Sequence, residues 1–245
     1  MKYGEIVNLG RHKLMCGDAT KREDVLKLVG DSKIDLVLTD PPYGINVQHK
    51  DGTIGSGKTS MSGLNHFGHD FKRTINNYEK IFGDDSTDNA RKNYEIINSL
   101  TKNFIIWGGQ YFANFLPVSG GWIFWDKLRP NTLDFGSGEL AYNLCSNVVK
   151  KYSHKWNGAI REGSKNLNPR PLLHPSQKPV ELHMKILQDF SKENDIILDC
   201  FGGSGTTLIA CEMVNRTCLM MEISPDYCDI ICNRYKKLTD LTLFN

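Results

Sequence analysis

Short apolar runs bounded by turn-forming residues recur along the chain. Runs such as IDLVLT, FIIW and IILD are apolar throughout, which is typical of strands that a sheet buries on both faces. This pattern predicts seven strands, at 13–16, 35–39, 103–107, 121–125, 139–144, 195–199 and 217–222.

Helical patterns lie between these runs, with apolar residues at i, i+3 and i+4. They predict helices at 21–29, 88–101, 109–116, 179–192, 204–214 and 225–238. Because strands and helices alternate, the chain predicts a doubly wound α/β fold around a mostly parallel seven-stranded sheet.

Two stretches do not fit the alternation. Segment 44–80 has six glycines in 37 residues and few apolar anchors, which predicts a long mobile loop. Segment 126–175 is basic and rich in Asn, Ser, Gly and Pro, which is typical of a small insertion or flap.

Composition then limits the class of protein. With 245 residues, 40% hydrophobic and 24% charged, the chain can bury the core of a single domain, and wholesale disorder is excluded. No run suits a signal peptide or a membrane span. Seven scattered cysteines without a CxxC pair argue against a disulfide framework and a structural zinc site. We therefore expect a reduced, cytoplasmic protein.

Charge is unevenly distributed, although the net charge is only +2. Residues 127–178 contain nine Lys or Arg and three acidic residues, so this segment carries +6 and the remainder −4. A basic segment of this kind suits a polyanion-binding surface. A solvated, lysine-rich loop region would have the same composition, and charge alone does not separate the two.

A glycine-rich turn follows the strand pattern DIILD, in the sequence DCFGGSGTT at 199–207. Such a turn lets a ligand approach the backbone, and the next helix offers free N–H groups. Glu222 ends the following predicted strand, 19 residues after Gly203, where a carboxylate can bind ribose hydroxyls. A plain tight turn is the alternative. Because the motif is not GxGxxG, a nicotinamide cofactor is disfavoured.

A second motif, Asp40-Pro41-Pro42-Tyr43, also ends an apolar strand. The prolines stiffen the chain and leave carbonyls without competing N–H groups. The Asp40 carboxylate and the Pro41 carbonyl can accept two N–H bonds from a planar amine, and the Tyr43 ring can stack on its face. The alternative is a strand-ending turn with an exposed tyrosine.

Together, DPPY, HPSQKP and FGGSG resemble the S-adenosylmethionine-dependent DNA amino-methyltransferases. The DPPY motif precedes the glycine-rich motif, which is the permuted beta-class order. The resemblance implies a Rossmann-like methyltransferase fold, with the chain opened between the second and third strands of the unpermuted order. It covers residues 12–43, 103–126, 139–146 and 174–236.

The resemblance also implies roles for individual residues. The catalytic tetrapeptide is Asp40, Pro41, Pro42 and Tyr43. Implied cofactor-binding residues are Asp18, His174, Ser176, Gln177, Lys178, Asp199, Phe201, Gly203, Gly205 and Glu222. No metal is implied, and the irregular spacing of His49, His66 and His69 argues against one.

The implied partner is DNA. Because N4-cytosine members often carry Ser in place of the motif's Asp, Asp40 favours adenine N6 in duplex DNA. Cytosine N4, and adenine in single-stranded DNA or RNA, stay open. Segment 127–170 occupies the place of the target-recognition region, with Lys150, Lys151, Lys155, Arg161 and Arg170 as candidate phosphate contacts. We expect loop 44–80 to close over a flipped base. A homodimer and a cognate endonuclease are further possibilities. A binding protein with a relict cofactor pocket would not need the intact motifs.

Overall fold

The computed structural model describes residues 1–46, 82–129, 136–157, 160–169 and 172–242. Most of the predicted loop 44–80, with His49, His66 and His69, lies outside the described residues, as does Arg170.

Eleven strands and five helices form the described chain. The strands are β1 (Ile6–Leu9), β2 (His12–Cys16), β3 (Leu36–Thr39), β4 (Phe104–Trp107), β5 (Trp122–Asp126), β6 (Gly138–Asn143), β7 (Val149–Ser153), β8 (Trp156–Asn157), β9 (Ile160–Arg161), β10 (Ile196–Asp199) and β11 (Thr217–Glu222). The helices are α1 (Arg22–Val29), α2 (Asp88–Leu100), α3 (Val180–Phe190), α4 (Thr206–Met213) and α5 (Pro225–Thr242).

Nine strands form one sheet, in the order β1-β2-β11-β10-β3-β4-β6-β5-β7, while β8 and β9 form a separate hairpin. Strands β2, β11, β10, β3 and β4 are parallel neighbours, and β5 pairs in parallel with β7. Strand β6 runs antiparallel to both β4 and β5. The carboxyl ends of seven strands and the start of β6 therefore share one edge of the sheet.

The alternation of strands and helices is confirmed, but the predicted count of seven strands is wrong. All seven predicted strands are present, and the sheet adds β1 and β7 at its two edges. An edge strand contacts the core less and needs no continuous apolar run. In β7, VKKYS, exposed and half-buried positions alternate and two are lysines.

The predicted helix at 109–116 is also wrong, because only a 3-10 turn forms there, at Gly109–Phe112. Glycine disfavours a helix by about 1 kcal/mol, and Pro117 disfavours helical geometry at the residue before it.

The central strands are buried on both faces, as their apolar runs predicted. Leu36 and Leu38 of β3 pack into the core on one face, and Val37 packs on the other. Ile105 and Phe104 of β4 divide in the same way. Among the described helices, none is long and apolar enough to cross a membrane.

Candidate active site

A cleft of about 910 Å³, open to solvent, lies at the carboxyl edge of the sheet. Loops after β2, β3, β10 and β11 line it, so both sequence motifs reach the same space. Its size falls within the range of small-molecule sites.

Most of the predicted site residues line this cleft, and four do not. Those in the lining are Asp18, Asp40, Pro41, Pro42, Tyr43, His174, Ser176, Phe201, Gly203 and Glu222. Absent from the lining are Gln177, Lys178, Asp199 and Gly205.

The glycine-rich turn is fixed by a carboxylate from the neighbouring strand. Gly203 has φ +52° and donates its N–H to Glu222 Oε2 at 2.7 Å. Glu222 Oε1 accepts the N–H of Ser224 at 2.9 Å. A Cβ on Gly203 would come no closer than 3.6 Å, to the His174 ring, so backbone is exposed to the cleft here. The arrangement can bring a ligand against main chain and a carboxylate together.

Two of the residues behind the lining have structural contacts. Asp199 is buried and accepts hydrogen bonds from Thr39 Oγ1 at 2.9 Å and Phe201 N at 3.1 Å. Burial raises its pKa to about 7, although these hydrogen bonds act in the opposite direction. Gly205 has φ +81° and packs where a Cβ would meet Ile231 at 3.0 Å. Asp199 thus ties β10 to β3, and Gly205 lets α4 approach α5.

The remaining predicted cofactor residues shape their own loops. Asp18 Oδ1 accepts the N–H and hydroxyl of Thr20, at 2.9 and 2.7 Å. Buried Gln177 accepts the N–H of Leu173 at 3.1 Å. The His174 ring packs edge-on against Tyr227, with centroids 4.7 Å apart.

Burial and the nearby Lys178 ammonium lower the pKa of His174 to about 4, so its imidazole is neutral at pH 7. Its Nδ1 lies 2.9 Å from Ser176 Oγ. His174 therefore contributes a polar but uncharged surface to the cleft.

Asp40 is held on both of its carboxylate oxygens. Tyr43 donates its hydroxyl hydrogen to Oδ1 at 2.6 Å, and Lys178 forms an ion pair with Oδ2. The Lys178 Nζ is also 3.3 Å from the Tyr43 hydroxyl. Lys178 was implied as a ligand of the cofactor's methionine end, yet the structure places its ammonium against the DPPY motif.

Two further charges extend this cluster. Lys178 Nζ lies 3.4 Å from Glu139 Oε2, and Glu139 also forms an ion pair with Lys127. Burial lowers the pKa of Lys178, but the carboxylates of Asp40 and Glu139 outweigh it, so the pKa is raised. Burial acts to raise the pKa of Glu139, but its two lysines lower it. Charges of alternating sign thus run from Asp40 to Lys127.

The Tyr43 ring is packed from the β4 side. It stacks on Tyr111 with centroids 5.1 Å apart and an interplanar angle of 20°, and it meets Phe112 edge-on. Gly108 has φ +71°, and a Cβ there would overlap the Tyr43 ring. Burial and the Asp40 carboxylate raise the pKa of Tyr43 well above its usual value, so the phenol keeps its proton.

Sequence reasoning missed several residues of the site. Tyr227, Ser224 and Asn89 line the cleft, and Glu139 and Tyr111 contact the Asp40 cluster. Tyr227 and Ser224 follow Glu222 closely, so proximity to that motif was an available signal. Asn89 and Tyr111 lie on helical turns far from any motif and had none.

The basic segment contributes strands as well as surface charge. Strands β6 and β7, from within 127–170, belong to the main sheet. Lys150 and Lys151 pair with Asp189 and Asp126, each at 3.1 Å. The Arg161 guanidinium lies 5.0 Å from the Trp156 ring, and Lys155 donates its backbone N–H to Glu162. Phosphate contact by these residues stays a prediction. Within the described ranges, no group of three or more His, Cys, Asp or Glu could hold a metal ion.

Curated relatives of similar sequence are type II methyltransferases. M.HpaI of Haemophilus parainfluenzae is 25% identical over 245 residues, covering 91% of this chain and 73% of the relative. M.HinfI of Haemophilus influenzae is 23% identical over 265 residues, covering 96% and 71%.

Solved structures share the fold. The PvuII DNA methyltransferase, which is cytosine-N4-specific, matches with a TM-score of 0.57 and 14% identity, covering 94% of this chain and 90% of its own. A DNA modification methylase of Thermus thermophilus, TTHA0409, solved with S-adenosyl-L-methionine, matches with a TM-score of 0.52 and 18% identity, covering 92% and 93%. The predicted α/β methyltransferase fold is confirmed.

The family model for N6 and N4 DNA methylases matches residues 34–233, which span the DPPY motif, the HPSQKP segment and the glycine-rich turn. S-adenosyl-L-methionine is the cofactor of this family, as the resemblance implied. The chain therefore belongs to the N6/N4 DNA methylase family.

Proposed function

We propose that this DNA methylase transfers a methyl group to the N6 amine of a flipped-out adenine in duplex DNA. The observation that carries the proposal is the Asp40 carboxylate, which stands beside Pro41 and Tyr43 in the cleft that the glycine-rich turn also lines. A carboxylate at this position only accepts hydrogen bonds, so it suits an amine with two N–H donors.

The cleft suits S-adenosylmethionine on the structure's own features. Gly203 exposes backbone, Glu222 offers a carboxylate for ribose hydroxyls, and Phe201 and Tyr227 supply aromatic surface. Asp18 and Ser176 would complete the polar contacts. When bound, the cofactor supplies an electrophilic methyl group on a sulfonium.

Asp40 and Pro41 would act on the amine. The N6 lone pair of adenine is delocalised into the ring, so the nitrogen is a poor nucleophile. Each carboxylate oxygen has two acceptor positions, so Asp40 can accept an N6 hydrogen while keeping Tyr43 and Lys178. With the Pro41 carbonyl accepting the second hydrogen, the nitrogen shifts toward sp³ geometry and its lone pair is aimed. The remainder of catalysis is positioning and electrostatics.

Access to the amine requires base flipping, which costs a few kcal/mol. Stacking on Tyr43 would offset part of that cost, since base–aromatic stacking contributes about 1–3 kcal/mol. The Tyr111 ring already braces Tyr43 on one side. Closure of loop 44–80, a target-recognition role for 127–170, a homodimer and a partner endonuclease stay predictions.

The test is methyl transfer from labelled S-adenosylmethionine to duplex DNA, with single-stranded DNA and RNA in parallel, followed by nucleoside mass analysis. We expect N6-methyladenine in the duplex, absent with Asp40→Ala. N4-methylcytosine, or label only in RNA or single strands, would overturn the proposed substrate and leave the family assignment unchanged. No label on any nucleic acid would overturn the proposed activity.

A further inference from the structure

We infer that Lys178 and Glu139 are positioning residues that hold the Asp40 carboxylate in its reactive orientation, with Glu139 acting through Lys178. This inference rests on the proposed function, because it assigns Asp40 the task of accepting the amine. Lys178 comes from the loop before α3 and Glu139 from the start of β6, so the fold brings both to the DPPY motif.

The Lys178 ammonium is enclosed. Its side chain is 4% exposed, and its Nζ contacts Asp40, Glu139 and the Tyr43 hydroxyl. The Trp107 ring lies 5.1 Å from Nζ and the Tyr43 ring 5.9 Å from it. Carboxylates and ring faces thus contact it from several directions, which limits where the ammonium can sit.

Charge balance explains why two carboxylates are needed. Burying an ammonium costs several kcal/mol unless it is paired and hydrogen-bonded. Asp40 alone would neutralise Lys178, but its side chain is 21% exposed and must also face the cleft. Glu139 supplies a second counter-charge from the opposite side, and Lys127 in turn neutralises Glu139. The four charges sum to zero, so the cluster can stay buried while Asp40 keeps free acceptor positions.

The position of Lys178 distinguishes this role from cofactor binding. Lys178 is absent from the cleft lining, whereas its neighbour Ser176 is part of it. The titratable and charged groups that face its ammonium, at contact distance or through longer-range electrostatics, are Asp40, Tyr43, Glu139, Lys127, His174 and His183. Its direct polar contacts are the two carboxylates and the Tyr43 hydroxyl, so we expect it to affect the amine step more than cofactor affinity.

The first measurement is kcat for Lys178→Met and Glu139→Gln, with DNA and cofactor both saturating. We expect Lys178→Met to lower kcat about 100-fold, the loss typical of a misplaced catalytic group. Glu139→Gln should cause a smaller loss. The KM for DNA and the Kd for cofactor should stay within about twofold, because neither ligand would contact these side chains. Equal losses in KM or Kd, with kcat unchanged, would overturn the inference.

The second measurement is the pH profile of kcat. Glu139→Gln is nearly isosteric but removes one of the two carboxylates that raise the pKa of Lys178. Burial then lowers that pKa further, so Lys178 loses its proton earlier as the pH rises. The alkaline limb of the profile should move to lower pH in Glu139→Gln. An unmoved limb would show that Glu139 does not act through Lys178.

The double variant tests the coupling. Lys178→Met with Glu139→Gln should lose little more kcat than Lys178→Met alone, because Glu139 has no other route to Asp40. Additive losses would overturn that route. If Lys178→Met does not fold, the pH profile of Glu139→Gln decides the question by itself.

A matched control is Glu212→Gln, which removes a carboxylate paired with Arg11 and His12 outside the cleft. It should lower stability and leave kcat unchanged. An active wild type with unaffected Lys178 and Glu139 variants would overturn this inference alone. An inactive wild type would overturn the proposed function, and the inference with it.

Discussion

The two halves of the cleft are built by different means. The cofactor half, formed by the loops after β2, β10 and β11, depends on backbone: the Gly203 turn, its N–H to Glu222, and the Asp18 loop. The catalytic half, formed after β3 and β4 and at the start of β6, depends on side-chain charges and rings around Asp40.

This difference determines which half is visible in a sequence. A backbone turn is local, so a short motif specifies it completely. The Asp40 cluster joins residues 40, 139 and 178, which only the sheet topology brings together. Substitutions in the two halves should therefore separate cofactor affinity from turnover.

The largest effect should come from Asp40→Ala. It removes the carboxylate acceptor for the amine, and loss of one such transition-state contact costs about 10²–10³-fold in kcat. Cofactor affinity, measured by calorimetry, should hardly change, because Asp40 is in the catalytic half. Reduced cofactor affinity with normal turnover would contradict the division.

Gly203→Leu should have the opposite signature, with cofactor affinity lost. The residue has φ +52°, which costs a side chain about 1–2 kcal/mol, and a leucine would also fill the cleft. Gly203→Ala is the matched control. Its Cβ would lie at an ordinary 3.6 Å from His174, so it carries the backbone strain without the block. Unimpaired cofactor binding by the leucine variant would remove Gly203 from the site.

Gly108→Ala should lower kcat by a smaller factor, roughly tenfold, by displacing the Tyr43 ring that a Cβ would overlap. Cofactor affinity should be preserved, since Gly108 follows β4 in the catalytic half. Methylation kinetics and cofactor titration on the same preparation check both points. A loss of cofactor affinity instead would mean that the two halves are mechanically coupled.

The smallest effect concerns stability and pH. His183 of α3 stacks on Trp107 beneath the catalytic half, with centroids 6.1 Å apart. Burial and the nearby cations Lys178 and Arg234 lower its pKa to about 3, whereas unfolding restores a value of about 6.5. Below about pH 6.5 the unfolded chain therefore binds a proton that the folded chain does not, and stability falls as the pH falls towards 3.

Denaturant unfolding of His183→Gln against wild type, between pH 7 and pH 4, measures this contribution. The wild type should lose up to about 1.4 kcal/mol more per pH unit below pH 6.5. Parallel stability curves for the two proteins would show that His183 is not held neutral.

The sequence predicted every central strand, because burial on both faces demands an unbroken apolar run, as in β3 and β4. It missed β1 and β7, whose edge positions impose no such pattern. It also placed ten of fourteen candidate catalytic and cofactor residues in the cleft lining. The misplaced four include Gly205, which packs α4 against α5, and Asp199, which ties β10 to β3.

The sequence by itself determined the fold class, the family and the two motifs, because strand burial, turn conformation and motif order are local properties of the chain. Only the tertiary structure decided that Lys178 faces Asp40, that Glu139 is its second partner, and that Tyr111 braces Tyr43. Pairing between buried charges depends on distances across the sheet. Those distances are set by strand order and direction, which no local pattern contains.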